Sequence, residues 1–154
     1  MNSDRRSSAA RRLGRAALLG TATGMRSTAG LAVVAMRVRR GILGHRAARP
    51  LAATAVAVEL VLDKMPFTGS RLRPEGLVGR VIFAGLAAVV CTLEEGAPTR
   101  DFVGPVAVAV GAALGSAKLA HDLRARLAAK YPDPAIAAVE DVAALSVAAL
   151  AISI

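Results

Sequence analysis

The stretch AIAAVEDVAALSVAALAISI, residues 135–154, is apolar along its whole length except for two serines and the adjacent pair Glu140 and Asp141. Its length falls within the roughly 17 to 25 residues that carry a helix across a bilayer. A carboxylate in hydrocarbon costs about 2.5 to 3.5 kcal/mol on insertion scales, so residues of this kind mark sites that the chain uses. A second stretch, AVAVELVLDK at residues 55–64, sets Glu59 in a similar environment. Asp63 follows four residues later, on the same face of a helix.

Working outward from these two stretches, the apolar residues fall into five blocks: Ala16 to Met36, Leu51 to Leu62, Leu77 to Leu93, Phe102 to Ala120 and Ala135 to Ile154. The composition is 55% hydrophobic and 3% aromatic, with a mean hydropathy of +0.51. A water-soluble domain of this size would be less apolar, and its helices would carry a polar face. The pattern predicts an all-α integral membrane bundle of about five helices, preceded by a basic, disordered cytoplasmic tail over residues 1–15. Residues 16–154 then form a single helical membrane domain.

Helix boundaries follow from local chemistry. Helix one is expected from Arg15 or Ala16 to about Val38, and helix two from Pro50, tolerated at a helix start, to about Lys64. Pro66 and the Thr68-Gly69-Ser70 run make a loop. Helix three covers Pro74 or Gly76 to Leu93, and Glu94 to Asp101 is an acidic turn containing Gly96 and Pro98. Helix four begins near Asp101 as an N-cap and extends to Lys130, helped by the i,i+4 pairs Lys118/Asp122 and Asp122/Arg126. Tyr131-Pro132-Asp133-Pro134 breaks it, and helix five runs to the end.

Much of the hydrophobicity comes from alanine and glycine, which let helix backbones approach closely. Gly20-x-x-x-Gly24 and Gly111-x-x-x-Gly115 suit packing within the bundle or a homodimer contact. Five spans grouped as two, one and two would make helices one and two the inverted counterpart of helices four and five around a central helix three.

The formal charge is +9. Nucleic acid is a poor fit, because stacking on bases needs aromatics and the chain has no Trp, one Tyr and three Phe. Flanking a membrane with anionic lipid is the simpler use. With a cytoplasmic N-terminus and five spans, thirteen Lys and Arg lie inside and six outside, as the positive-inside rule requires. The arginine-rich segment after helix one conflicts with this topology. A re-entrant hairpin of the first two blocks, with both ends cytoplasmic, is the alternative.

The single cysteine, Cys91, excludes an intrachain disulfide and any thiolate metal site, and reads as a small buried hydrophobe. Arg11-Arg12 resembles the start of a twin-arginine signal, but Arg26 interrupts the apolar run behind it. His45 and His121 are isolated, so no metal or cofactor is expected. No phosphate loop and no Gly-x-Ser-x-Gly is present, and the chain carries no enzyme signature.

The segments GMRSTAGLAVVA (24–35), ELVLDKMPFTGSRLRP (59–74) and PDPAIAAVEDVAAL (132–145) resemble the short actinobacterial members of a bacterial membrane-protein family catalogued as domain of unknown function 4126. The resemblance covers roughly Leu18 to Ala149. It implies a multi-pass protein of the bacterial cytoplasmic membrane and leaves the activity open.

Arg26 is the cation of the first apolar block and is expected to balance Glu59 or Glu140. Arg26, Glu59, Asp63, Glu140 and Asp141 form the candidate pathway of a transporter or channel-like protein for a small solute or ion. In the competing account these charges only pin helix register, and the chain is a structural or accessory membrane protein binding anionic lipid or a partner complex. Arg71 and Arg73 are candidates for a lipid phosphate, and equally for a solvated positive-inside loop.

Overall fold

The computed structural model describes residues 2–37 and 74–154. The expected second helix, with Glu59 and Asp63, and the loop carrying Arg71 and Arg73 lie outside the described residues. Within them the regular elements are all helical: α1 (Asn2–Met25), α2 (Ala29–Arg37), α3 (Pro74–Glu94), α4 (Val103–Leu127) and α5 (Asp133–Ser153), with a single 3-10 turn at Thr99–Asp101. Three segments are long and apolar enough to cross a membrane: Gly76–Glu94, Thr99–Leu127 and Asp133–Ser153, with mean hydropathies of 2.1, 1.6 and 2.0.

The three spans end where local chemistry stops them. Behind α3, Gly96 takes φ +66, the left-handed conformation that glycine adopts without steric cost. Its N–H donates to the Leu93 carbonyl at 2.9 Å and that of Ala97 to the Thr92 carbonyl at 3.3 Å, the paired bonds of a Schellman cap. The helix four expectation needs two corrections. Its N-cap is Phe102, without a side-chain cap, because Asp101 belongs to the 3-10 turn, and it stops at Leu127 rather than Lys130. Pro132, extended at φ −64 and ψ 137, then opens α5 with Pro134 in its first turn.

The largest departure lies in the first apolar block. A continuous helix one was expected; instead α1 begins at Asn2, so residues 2–15 are helical rather than an irregular tail, and the helix stops at Met25. Arg26, Ser27 and Thr28 form a turn, and α2 folds back along α1. Val34 shares a buried cluster with Leu19, and Val33 one with Ala22. In a straight helix Leu19 and Val34 would stand about 22 Å apart. The block is therefore a helical hairpin in itself. Ser27 and Thr28 favour the turn because their hydroxyls compete for backbone groups.

This hairpin departs from the straight helix one of the expected inverted repeat, whose second helix lies outside the described residues. It also changes the hub. Helix three was expected at the centre, yet α1 packs against all four other helices. It runs parallel to α4, with Leu13 near Gly104, Gly20 against Ala109 and Gly24 against Ala113 and Ser116. Relative to α3 and α5 it is antiparallel, since Arg15 meets Glu95 and the Ala151 carbonyl while the far end of α1 meets Arg80 and Asp141.

Small side chains make this packing. A Cβ on Gly20 would overlap the Ala109 carbonyl, and one on Gly24 the Ala113 carbonyl and the Ser116 hydroxyl. The buried residues are mostly alanine, including Ala16, Ala84, Ala88, Ala109 and Ala113 in one cluster. Large apolar residues point outward instead: Val78, Ile82 and Leu86 on α3, Leu114 and Leu119 on α4, Val139 and Val142 on α5. A bundle in water places its large side chains inside. In lipid, apolar surface gains nothing by hiding, and small residues at the helix contacts maximise dispersion between backbones.

Candidate functional site

The turn that ends α1 leaves backbone carbonyls without helical partners, and charged groups from neighbouring helices converge there. Arg80, 5% exposed, donates from Nε to the Gly24 carbonyl at 3.0 Å and from NH1 to the Gly76 carbonyl at 3.2 Å. A guanidinium at this point also meets the negative end of the α1 dipole. The Ser116 hydroxyl lies 3.0 Å from the Thr21 carbonyl, fixing α4 to the last turn of α1.

Arg26, 4% exposed, projects from the turn to α5. Its Nε donates to Asp141 Oδ1 at 2.5 Å, and NH2 is bonded to the same oxygen. Glu140, 8% exposed, engages Arg124 NH1 at 3.5 Å. The same guanidinium grips Asp133 with both arms, Nε to Oδ1 at 2.9 Å and NH2 to Oδ2 at 2.7 Å. The expected pairing of Arg26 with Glu140 is therefore replaced by Arg26 with Asp141. Adjacent residues point about 100° apart on a helix, so one carboxylate faces α1 and the other α4. Any pairing with Glu59 or Asp63 lies outside the described residues, as do Arg71 and Arg73.

The resulting polar centre runs from Asp133 and Arg124 at the end of the bundle, through Glu140, to Asp141, Arg26 and Arg80 inside it. At 1.5 Å per residue, Asp141 lies about 12 Å in from Asp133 and Arg80 about 9 Å in from Pro74. Large apolar residues encircle this level on the outside, with Val139 at 71% and Leu119 at 68% exposure. The charges are thus screened from lipid by protein, as intramembrane charges require. Asp141 thus stands close to the middle of α5, and Arg80 nearer the Pro74 end of α3. Lys118 and Asp122, paired at 3.1 Å on the outer surface, stand near the same level, where a lysine stem can reach toward water.

A second charged layer closes the opposite end. Arg12 bonds Asp101 at 3.0 Å and lies 3.5 Å from Glu95; Arg15 bonds Glu95 at 2.6 Å and the Ala151 carbonyl at 3.0 Å. Between the layers, Arg15 to Arg26 along α1 spans about 16 Å and Arg80 to Glu95 along α3 about 22 Å. This arrangement corrects the expected topology, in which the N-terminal arginines shared a side with Arg124 and Arg126 and opposed Glu94 and Glu95. The N-terminal arginines share a side with Glu95, because α1 enters the bundle from the α3–α4 connection.

Sequence reasoning missed Arg80 and Arg124, both counted only toward the positive-inside total. The signal for Arg80 was present: it stands seven residues into the helix expected from Pro74. Arg124 left no such signal, since nothing local shows that α5 passes beside it. Among the described residues no three His, Cys, Asp or Glu side chains gather as a metal site would need.

In comparisons with known proteins, no family model, curated protein or solved structure matches the chain.

Proposed function

We propose that the protein is a small multi-pass protein of the bacterial cytoplasmic membrane that passes a small solute or ion across the bilayer by way of the polar centre at the hairpin tip. The observation that carries this reading is the Arg26–Asp141 pair at an interrupted helix inside the bundle. Non-helical backbone at membrane depth survives only where it is buried in protein or lines a water-filled cavity. Ionisable side chains inside a membrane bundle commonly mark substrate or ion pathways.

The test is flux through the purified full chain reconstituted in liposomes, assayed against a panel of monovalent cations, anions, protons and small neutral solutes. At least one permeant should cross faster than in protein-free vesicles. Asp141→Asn should abolish that flux while leaving the helical circular dichroism unchanged.

One observation favours the accessory reading: Arg26, Arg124 and Arg80 each already have partners in the resting bundle. On that reading the pairs only fix helix register. No member of the panel would then cross, and Asp141→Asn would change thermal stability alone.

For orientation, among the described residues Arg6, Arg11, Arg12, Arg15 and Arg100 lie toward the Glu95 end, against Arg80, Lys118, Arg124, Arg126 and Lys130 toward the other. This count is even and favours neither orientation; the N-terminal part of α1 and the α3–α4 connection share one side.

A further inference from the structure

A cleft of about 660 Å3 opens where α1 passes the α3–α4 connection, walled by Leu13, Pro98, Gly104 and Pro105 and edged by Arg12 and Arg100. We propose that this cleft seats the headgroup of an anionic phospholipid, with its phosphate on Arg100 and Arg12 and one acyl chain lying along the outer face of α4. The proposal rests on the reading of α4 as a membrane span and is independent of whether the polar centre carries flux.

Three observations support it. The cleft lies at the level of the Glu95 layer, where the α3 and α4 spans end and phosphates of the bilayer would stand. Its one lining carboxylate, Asp101, already bonds Arg12 at 3.0 Å, whereas Arg100 is 81% exposed and only 3.9 Å from Asp101 at its nearest. Arg100 is thus available to a phosphate, whose geometry a guanidinium fork matches.

Below the cleft, Gly104, Ala107, Gly111 and Gly115 form an exposed strip down one face of α4. A Cβ on Gly111 or Gly115 would meet no atom within 4 Å, so the strip is a shallow channel leading from the arginines into the hydrocarbon. Among the described residues no helix packs on Gly111 or Gly115, whereas Gly20 and Gly24 are consumed by α4. A second copy of the chain is the rival occupant. A parallel dimer through this face would bring Arg100 and its symmetry mate together, a like-charge contact that a lipid phosphate would neutralise.

Native mass spectrometry of the full chain in detergent, titrated with phosphatidylglycerol or phosphatidylcholine of equal chain length, tests the site. The wild type should retain phosphatidylglycerol in preference. Arg100→Ala should weaken that retention about fivefold, the loss expected for one interfacial arginine, and Gly111→Leu should weaken it as well by filling the chain channel. Equal retention of the two lipids, or of phosphatidylglycerol by all three proteins, would overturn the proposal. Displacement of the lipid by inorganic phosphate, with no effect of Gly111→Leu, would reassign the arginines to a free phosphate. A dimer that disappears in Gly111→Leu would assign the face to a second copy instead.

Discussion

The Nε of Arg80 on α3 donates to the carbonyl of Gly24, the penultimate residue of α1, at 3.0 Å. A cation from the α3 span thus completes the hydrogen bonding that the end of α1 leaves open, and it ties the hairpin tip to the bundle.

Replacing Arg80 by alanine should therefore loosen the tip. An orphaned buried carbonyl costs about 1 to 3 kcal/mol, so thermal unfolding in detergent should begin at a lower temperature. Arg80→Lys should recover part of the loss. If Arg80→Ala melts with the wild type, the Gly24 contact carries no stability.

Arg26 and Asp141 should behave as a coupled pair. Removing one partner of a buried ion pair costs about 3 to 5 kcal/mol, because the other charge is stranded. Arg26→Met and Asp141→Leu should each destabilise strongly, and the double variant less than the sum of the two. Additive losses in a denaturation cycle would show that the two side chains act separately.

The two Gly-x-x-x-Gly motifs should differ sharply. Gly20→Leu drives a side chain into the α4 backbone and should cost at least the roughly 1 to 3 kcal/mol of an overpacked core. Gly111→Ala points into open space and should leave the melting temperature within error. Equal effects would mean that α1 and α4 do not approach as described.

Topology can be read by labelling single cysteines introduced into a Cys91→Ala background. Cysteines at Ser7 and Glu95 should react from the same side of the membrane, and one at Arg126 from the other. Labelling of Glu95 and Arg126 from one side would contradict the described arrangement of α3 and α4.

Gly96→Ala would place a side chain at φ +66, where L residues pay about 1 kcal/mol. A modest fall in thermal stability, without change in labelling pattern, is expected.

The amino-acid sequence by itself determined what depends on neighbours along the chain. Helical periodicity and apolar length defined the spans of α3, α4 and α5. Gly96, Pro98, Pro132 and Pro134 defined where they stop, and Glu140 and Asp141 stood out because a charge in an apolar run is costly wherever that run packs. Tertiary structure decided the rest: the reversal at Arg26, the place of α1 at the hub, the choice of Asp141 over Glu140 as its partner, and the union of Arg12 and Arg15 with Glu95 and Asp101. These are matters of interhelical register, and in a chain this rich in alanine and glycine many registers offer nearly the same hydropathy and packing. What separates them is which backbones can touch, as Gly20 and Gly24 touch α4, and which buried charges that contact then brings within reach of one another.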